Sequence, residues 1–75
     1  MSYTFDSWTI YDSPDDLPGR FIARRWVIGI GAEPEPTTDT REGATLDEVR
    51  AKLPIGLVRI PRAEADEPAI VETWI

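Results

Sequence analysis

The sequence predicts a single α+β domain over residues 1–75, with a small antiparallel sheet of about four strands (β-β-α-β-β) and one helix packed on one face. The length of 75 residues, with 41% hydrophobic and 29% charged residues, allows one small globular domain and no second one. Four segments show the alternation or the β-branched and aromatic content of strands. One further segment has apolar residues at helical spacing.

The first two strands are predicted in the N-terminal third of the chain. Tyr3 to Tyr11 is rich in aromatic and β-branched residues, most clearly from Ser7 onward. A proline-rich turn at residues 12–19 separates it from a second strand at Phe21–Ile28. Both faces of this second strand are mixed, which indicates either an inner strand covered on both sides or arginine stems lying along apolar surface.

The segment Gly29–Gly43 is predicted to be a long loop or an ordered excursion. Pro34 and Pro36 lack the amide that a strand ladder needs, and four acidic side chains in the segment gain little from burial. Loops of this length are often functional or disordered. We therefore expect it to be the most mobile part of the chain and a candidate contact surface.

A helix is predicted from Thr45 to about Leu53. The Thr45 hydroxyl can accept a hydrogen bond from the Glu48 amide, and the Glu48 carboxylate can reach back to the Thr45 amide, as in a capping box. The apolar stripe of this helix consists of Leu46, Val49 and Leu53.

Two strands are predicted after the helix. Leu57–Ile60 is short and is closed by Pro61, and Ala69–Ile75 alternates so that one of its faces is entirely apolar or Thr. The connection between them, Arg62–Pro68, is acidic.

The composition excludes several classes of site. Cysteine and histidine are both absent, so disulfides, Cys/His zinc sites, thiol nucleophiles and histidine bases are excluded. The acidic groups lack the ligand spacing of a calcium loop, and a domain of this size seldom offers a catalytic cleft. Gly29-Ile30-Gly31 is followed by acidic residues and proline, unlike a dinucleotide-binding turn. We expect no enzyme activity, no metal and no cofactor.

Acidic residues are concentrated in the predicted loops and termini. The formal net charge of −6 argues against direct binding to nucleic acid or to an anionic membrane. One interpretation is a solvated surface that keeps the chain soluble. The other is an acidic face that imitates a phosphate backbone and contacts a basic partner. The candidate partner-binding residues for that second interpretation are Asp12, Asp15, Asp16, Glu33, Glu35, Asp39, Glu64, Asp66 and Glu67.

Three tryptophans are many for so small an interior. Trp8, Trp26 and Trp74 all fall on predicted strands, so core packing is the first expectation. Tryptophan and arginine are also enriched at the centres of protein interfaces. A Trp/Arg surface that binds a protein partner, or a second copy in a homodimer, is therefore the alternative function.

Motifs spread over most of the chain resemble a family of small uncharacterised proteins found in phages, prophages and their bacterial hosts. The motifs are Tyr11-Asp12-x-Pro14-x-Asp16-x-Pro18, Phe21-x-Ala23-Arg24-x-Trp26, Thr45-Leu46-Asp47-Glu48-x-Arg50, Pro54-x-Gly56-Leu57 and Ile70-Val71-Glu72-x-Trp74-Ile75. No catalytic residue or cofactor defines that family. The resemblance implies a protein that binds host machinery, as anti-CRISPR proteins do, some of them as DNA mimics.

The leading functional hypothesis combines these observations. It is a small acidic phage-type inhibitor that binds a host nucleic-acid-binding protein or ribonucleoprotein complex and blocks its DNA or RNA site with carboxylates. The N-terminus lacks the basic start and apolar core of a signal peptide, and no apolar run is long enough to span a membrane. We therefore expect the protein to work in the cytoplasm of the host cell.

Overall fold

The computed structural model describes residues 3–14, 18–62 and 68–75. These residues form five strands and one helix. The elements are β1 (Thr4–Asp12), β2 (Phe21–Gly29), β3 (Glu35–Gly43), α1 (Leu46–Ala51), β4 (Arg59–Pro61) and β5 (Ile70–Trp74). All neighbouring strands are antiparallel, in the spatial order β3-β2-β1-β5-β4. The predicted α+β class is confirmed, but the sheet has five strands rather than about four.

The additional strand is β3, so the prediction of a loop over Gly29–Gly43 is wrong from Glu35 onward. β3 lies at the edge of the sheet, where one side of the strand pairs with no other described strand, and a proline whose nitrogen faces that side costs no ladder hydrogen bond. Pro36 stands opposite Trp26, next to an irregularity in the β2–β3 register. The prolines therefore restrict this segment to an edge without excluding it from the sheet.

The polar side chains of β3 are held by bonds to β2. Thr37 Oγ1 donates to the Arg25 carbonyl oxygen at 2.8 Å, and Arg24 Nη1 donates to the Thr37 carbonyl oxygen at 2.8 Å. Asp39 forms ion pairs with Arg25, at 3.2 Å, and with Arg41. Asp39, one of the four acids that suggest a solvated loop in the sequence, is thus partnered once β3 lies against β2.

The N-terminus of the helix is the best-predicted local feature. The Glu48 amide donates to Thr45 Oγ1 at 3.2 Å, as expected. The Glu48 carboxylate, however, accepts from the Ala44 amide at 2.9 Å, so the predicted bond to the Thr45 amide is wrong by one residue. α1 ends at Ala51, short of the predicted Leu53, which is half-buried beside the core.

The hydrophobic core lies between the sheet and α1. It is built from Trp8 and Ile10 of β1, Ala23 of β2 and Val49 of α1, all of them buried. Core packing of the tryptophans is thus confirmed for Trp8 and, in part, for Trp74, which is half-buried and packs against this core. Trp26 is also half-buried but does not pack against it.

The remaining strands agree with the predictions within two residues. β1, β2 and β5 begin and end within one residue of the expected bounds, and β2 is an inner strand. β4 includes Pro61, which was expected to lie just beyond its end, and an edge position again tolerates the proline.

Candidate protein-binding surface

The sheet face opposite α1 is covered by no other described element. Strand pairs place Phe5 beside Ile28, Ser7 beside Trp26, Thr9 beside Arg24, and Tyr11 beside Ile22. None of these residues shares the face of Trp8, Ile10 and Ala23, on which α1 packs. We call this surface the uncovered face.

One half of the uncovered face carries an apolar patch. Phe5 is 51% exposed and Val58 66% exposed, and Ile75, which exchanges both backbone hydrogen bonds with Val58, is 42% exposed. Trp26 and Ile28, which lie on β2 next to Phe5 of β1, are half-buried. The apolar patch is defined as Phe5, Trp26, Ile28, Val58 and Ile75. Exposed apolar areas of this extent on a small domain commonly mark interaction sites.

The indole of Trp26 adds a polar feature to the apolar patch. Its Nε1 is buried and has no hydrogen-bond partner among the described residues. A buried donor without an acceptor costs about 1–3 kcal/mol, and most buried indoles find a partner. An acceptor supplied by a bound protein would remove this cost.

A row of polar residues across neighbouring strands marks the boundary of the apolar patch. Thr9 pairs with Arg24 on one side and with Thr73 on the other, and Arg24 pairs in turn with Thr40. The apolar patch therefore occupies the end of the sheet where β1 begins and where β2 turns into β3. We call this the hairpin end.

A cavity of about 470 Å³ lies at the same hairpin end. Thr4 pairs with Gly29, and Val27 with Glu35, on the side of the sheet opposite the apolar patch, so the cavity opens on the helix-bearing side. The residues that line this hairpin cavity are Tyr3, Thr4, Val27, Gly29, Ile30, Ala32, Glu33 and Glu35.

The structure describes four of the nine predicted partner-binding residues. Glu33 and Glu35 are exposed and line the hairpin cavity, whereas Asp12 is exposed at the end of β1 and accepts from Ser13 Oγ at 3.0 Å. The other five, Asp15, Asp16, Glu64, Asp66 and Glu67, lie outside the described residues. The prediction that all nine lie on loops is wrong for Asp12, Glu35 and Asp39, which belong to strands.

Asp39 is the predicted site residue least suited to contact a partner. The guanidinium of Arg41, together with that of Arg25, holds the pKa of the Asp39 carboxyl below its usual value. Its charge is thus compensated within the chain. The side-chain carboxylates of Glu33 and Glu35, in contrast, make no hydrogen bond or ion pair with any residue that the structure describes.

The remaining predicted acids belong to two connections that attach at one end of the sheet. The β1–β2 connection leaves β1 after Asp12, and the β4–β5 connection enters β5 through Ala69. The Asp12 amide donates to the Ala69 carbonyl oxygen at 2.8 Å, so the two attachment points are neighbours. We call this the acidic end, and it lies opposite the hairpin end.

A buried ion pair beneath α1 was not predicted from the sequence. Glu72 is 2% exposed and accepts from Arg50 Nε at 2.9 Å, Arg50 Nη2 at 2.6 Å and Trp74 Nε1 at 2.6 Å. These bonds, led by the guanidinium of Arg50, hold the pKa of the Glu72 carboxyl below its usual value. The only sequence signal was a single acid between Ile70 and Trp74 on one strand face.

Within residues 3–14, 18–62 and 68–75, no three acidic side chains are placed to share a metal ion. No helix among the same residues is long and apolar enough to cross a membrane.

Comparisons of the chain with protein-family models, with curated proteins and with solved structures gave no match.

Proposed function

We propose that the protein acts by binding a protein partner, with no catalytic chemistry of its own, and that the hairpin end is the contact surface. The apolar patch is the observation that carries this proposal. Its side chains stay exposed although each could be buried by a second layer. Burial of apolar surface contributes about 25 cal/mol per Å², so covering the patch supplies part of the free energy that offsets the entropic cost of association.

The composition of the patch resembles the centre of an interface. Tryptophan and other aromatic residues dominate binding free energy because they fill desolvated pockets on the partner. Trp26 combines a large ring with an indole donor that lacks an acceptor. Phe5 stands beside it on the neighbouring strand and presents half of its side chain to solvent. These two side chains are the expected anchors.

Charge favours a basic partner. Glu33 and Glu35 border the hairpin end and are unpaired within the described chain, and the chain as a whole carries a net charge of −6. Opposite charge accelerates encounter and selects among partners with similar apolar areas. A second copy of the chain carries the same −6 and is repelled at low salt, so a basic protein is favoured over a homodimer.

Patch variants of the purified chain test this proposal. Immobilised wild type, the double variant Phe5→Ser/Val58→Ser and the control Ile55→Ser would be used to capture proteins from a host lysate. Ile55 is fully exposed and lies in the turn before β4, outside the patch. A captured protein is then purified and its dissociation constant measured with each variant.

We expect the double variant to bind the purified partner at least about tenfold more weakly than Ile55→Ser does. We also expect the partner's contact surface to be basic. Equal binding by both variants would overturn the assignment of the hairpin end. Sedimentation equilibrium of the chain alone supplies a second check, because a dimer lost in Phe5→Ser/Val58→Ser would show that a second copy occupies the patch.

The finer proposal is that binding blocks the partner's DNA or RNA site, as a nucleic-acid mimic would. The described residues hold nine acidic and eight basic side chains, so five of the six net negative charges belong to residues 15–17 and 63–67. Both segments belong to connections that attach at the acidic end. The resemblance to small phage and prophage proteins points to the same kind of target, a nucleic-acid-binding protein of the host cytoplasm.

The two ends of the sheet can be separated by mutation. A variant with Asp15→Asn, Asp16→Asn, Glu64→Gln, Asp66→Asn and Glu67→Gln removes the charge of the acidic end and leaves the apolar patch intact. If mimicry is the mechanism, this variant no longer competes with DNA or RNA for the partner, and wild-type competition weakens steeply as salt rises. Undiminished competition by the variant would contradict mimicry and leave binding through the patch standing.

A further inference from the structure

The hairpin cavity combines a partly apolar wall with two carboxylates. Val27, Gly29 and Ile30 contribute apolar surface, and Tyr3 contributes an aromatic side chain that is 70% exposed. Gly31, with φ at +73°, lets the chain turn back from β2 toward β3. The volume of the hairpin cavity, about 470 Å³, lies in the range of sites that hold small molecules or peptide side chains, about 300–1,000 Å³.

The charged groups of the cavity are both negative. Glu33 precedes β3 and Glu35 begins it, and both line the cavity. Neither forms an ion pair within the described chain, although Asp6, Asp39 and Glu72 all do. Two free carboxylates beside apolar surface select a ligand that is cationic at one end and apolar along its length.

An arginine side chain fits this combination better than a lysine side chain does. Its guanidinium has five N–H donors in a planar fork that matches carboxylate oxygens, and it stacks on aromatic rings such as that of Tyr3. It is also more weakly hydrated than an ammonium group, so apolar surroundings cost it less. Its methylene stem can lie along Val27 and Ile30.

We propose that the hairpin cavity binds an arginine side chain presented by an extended peptide segment. This deepens the function proposed above, because it names the chemistry by which a basic partner is recognised. The cavity and the apolar patch lie on opposite sides of the same hairpin, so a partner that covers the patch can reach the cavity around the end of the sheet. Arginine binding in the cavity does not require the patch to be occupied.

Titration of the full chain with small ligands tests the proposal directly. The ligands are a blocked Gly-Arg-Gly peptide, the same peptide with neutral citrulline or with lysine in place of arginine, and spermidine as a free amine. Binding is followed by amide chemical shifts in ¹H–¹⁵N spectra. We expect the arginine peptide to shift the amides of Gly29, Gly31 and Ala32, and the citrulline peptide to bind at least about tenfold more weakly.

Three variants separate the cavity from general negative charge. Glu33→Gln/Glu35→Gln removes both carboxylates, and we expect it to weaken arginine binding about tenfold or more. Glu42→Gln is the matched control, an exposed acid on the same strand that does not line the cavity. Gly29→Val keeps every charge but fills space, since a Cβ there would lie 3.6 Å from Ala32 Cβ and 3.9 Å from Thr4 Cγ2, ordinary contact distances. We expect Gly29→Val to weaken binding as well.

The contrary outcomes are distinct. Equal weakening by Glu42→Gln and by Glu33→Gln/Glu35→Gln would show that net charge alone attracts the peptide and would overturn the site. Tighter binding of spermidine or of the lysine peptide would overturn the choice of arginine. A failure of the proposed function can be told apart from a failure of the arginine site. Phe5→Ser/Val58→Ser should bind the arginine peptide as wild type does, whether or not the apolar patch binds a partner.

Discussion

At the scale of single residues, the buried carboxylate of Glu72 has the largest effect that the structure predicts. It is nearly inaccessible and receives three charge-assisted or indole hydrogen bonds. Replacing one member of such a pair removes these bonds and leaves the other member without its partner. The total free energy of unfolding of a 75-residue domain is about 4–11 kcal/mol, so this pair is a substantial fraction of it.

The first prediction concerns Glu72→Gln. We expect it to lower the free energy of unfolding by about 2–3 kcal/mol at pH 7, measured by urea denaturation. The pKa of Glu72 is lower in the folded state than its usual value of 4.5, so its stabilisation is present above about pH 4.5 and is lost as pH falls through the folded pKa. The difference between wild type and variant should therefore shrink as the pH falls below about 4.5. A difference independent of pH would contradict the pairing.

The second prediction concerns Gly43, where α1 comes closest to β3. A Cβ at this position would lie 2.8 Å from Glu48 Cβ, closer than such atoms approach, and 3.2 Å from Val49 Cγ2, which is a tight contact. We expect Gly43→Ala to lower the free energy of unfolding by about 1–3 kcal/mol through overpacking. Gly29→Ala is the matched control, since its Cβ would make only ordinary contacts, and it should change stability little or raise it.

At the scale of elements, α1 depends on its N-cap more than a longer helix would. It has only six residues, and isolated helices of that length do not form in water. We expect Thr45→Ala to lower the free energy of unfolding by about 1 kcal/mol through loss of the bond from the Glu48 amide. Thr45→Ser keeps the hydroxyl and should lose less than half as much. Equal losses would assign the effect to packing of the Thr45 methyl group.

The sequence predicts a mobile loop at the residues that form β3 in the structure. A mobile loop would exchange all its amide hydrogens quickly. A strand bonded to β2 on one side protects about every second amide. We expect slow amide exchange at alternate positions of Glu35–Gly43 and fast exchange at residues 30–33. Uniformly fast exchange across both ranges would contradict the strand.

At the scale of the whole molecule, the single short helix covers one side of the sheet and the other side keeps its apolar patch exposed. We expect the native chain to bind the dye ANS, and Phe5→Ser/Val58→Ser to bind markedly less, because both side chains are more than half exposed. The same variant should change the free energy of unfolding by less than about 1 kcal/mol. Unchanged dye binding, with Ile55→Ser as the control, would place the apolar surface elsewhere.

The sequence by itself determined those features that depend on neighbours along the chain. Alternation identified β1, β2 and β5 because the side-chain period of a strand is local. The capping residues located the start of α1 because Thr45 and Glu48 are three residues apart. The same local information placed acidic residues in the connections, and it indicated an interface role for tryptophan, which stays a prediction.

Only the tertiary structure decided which charged and polar side chains have a hydrogen-bond or ion-pair partner in the described part of the chain. β3 is a strand because Arg24 and Arg25 of β2 bind its polar groups, and no local pattern shows that partnership. Glu72 is buried because α1 brings Arg50 over it from 22 residues away. The same long-range contacts neutralise Asp39 and leave the carboxylates of Glu33 and Glu35, beside a cavity, without a partner in the described part of the chain. Residue types can be read from the sequence, but the pairing of charges and the covering of a sheet face depend on contacts between distant segments.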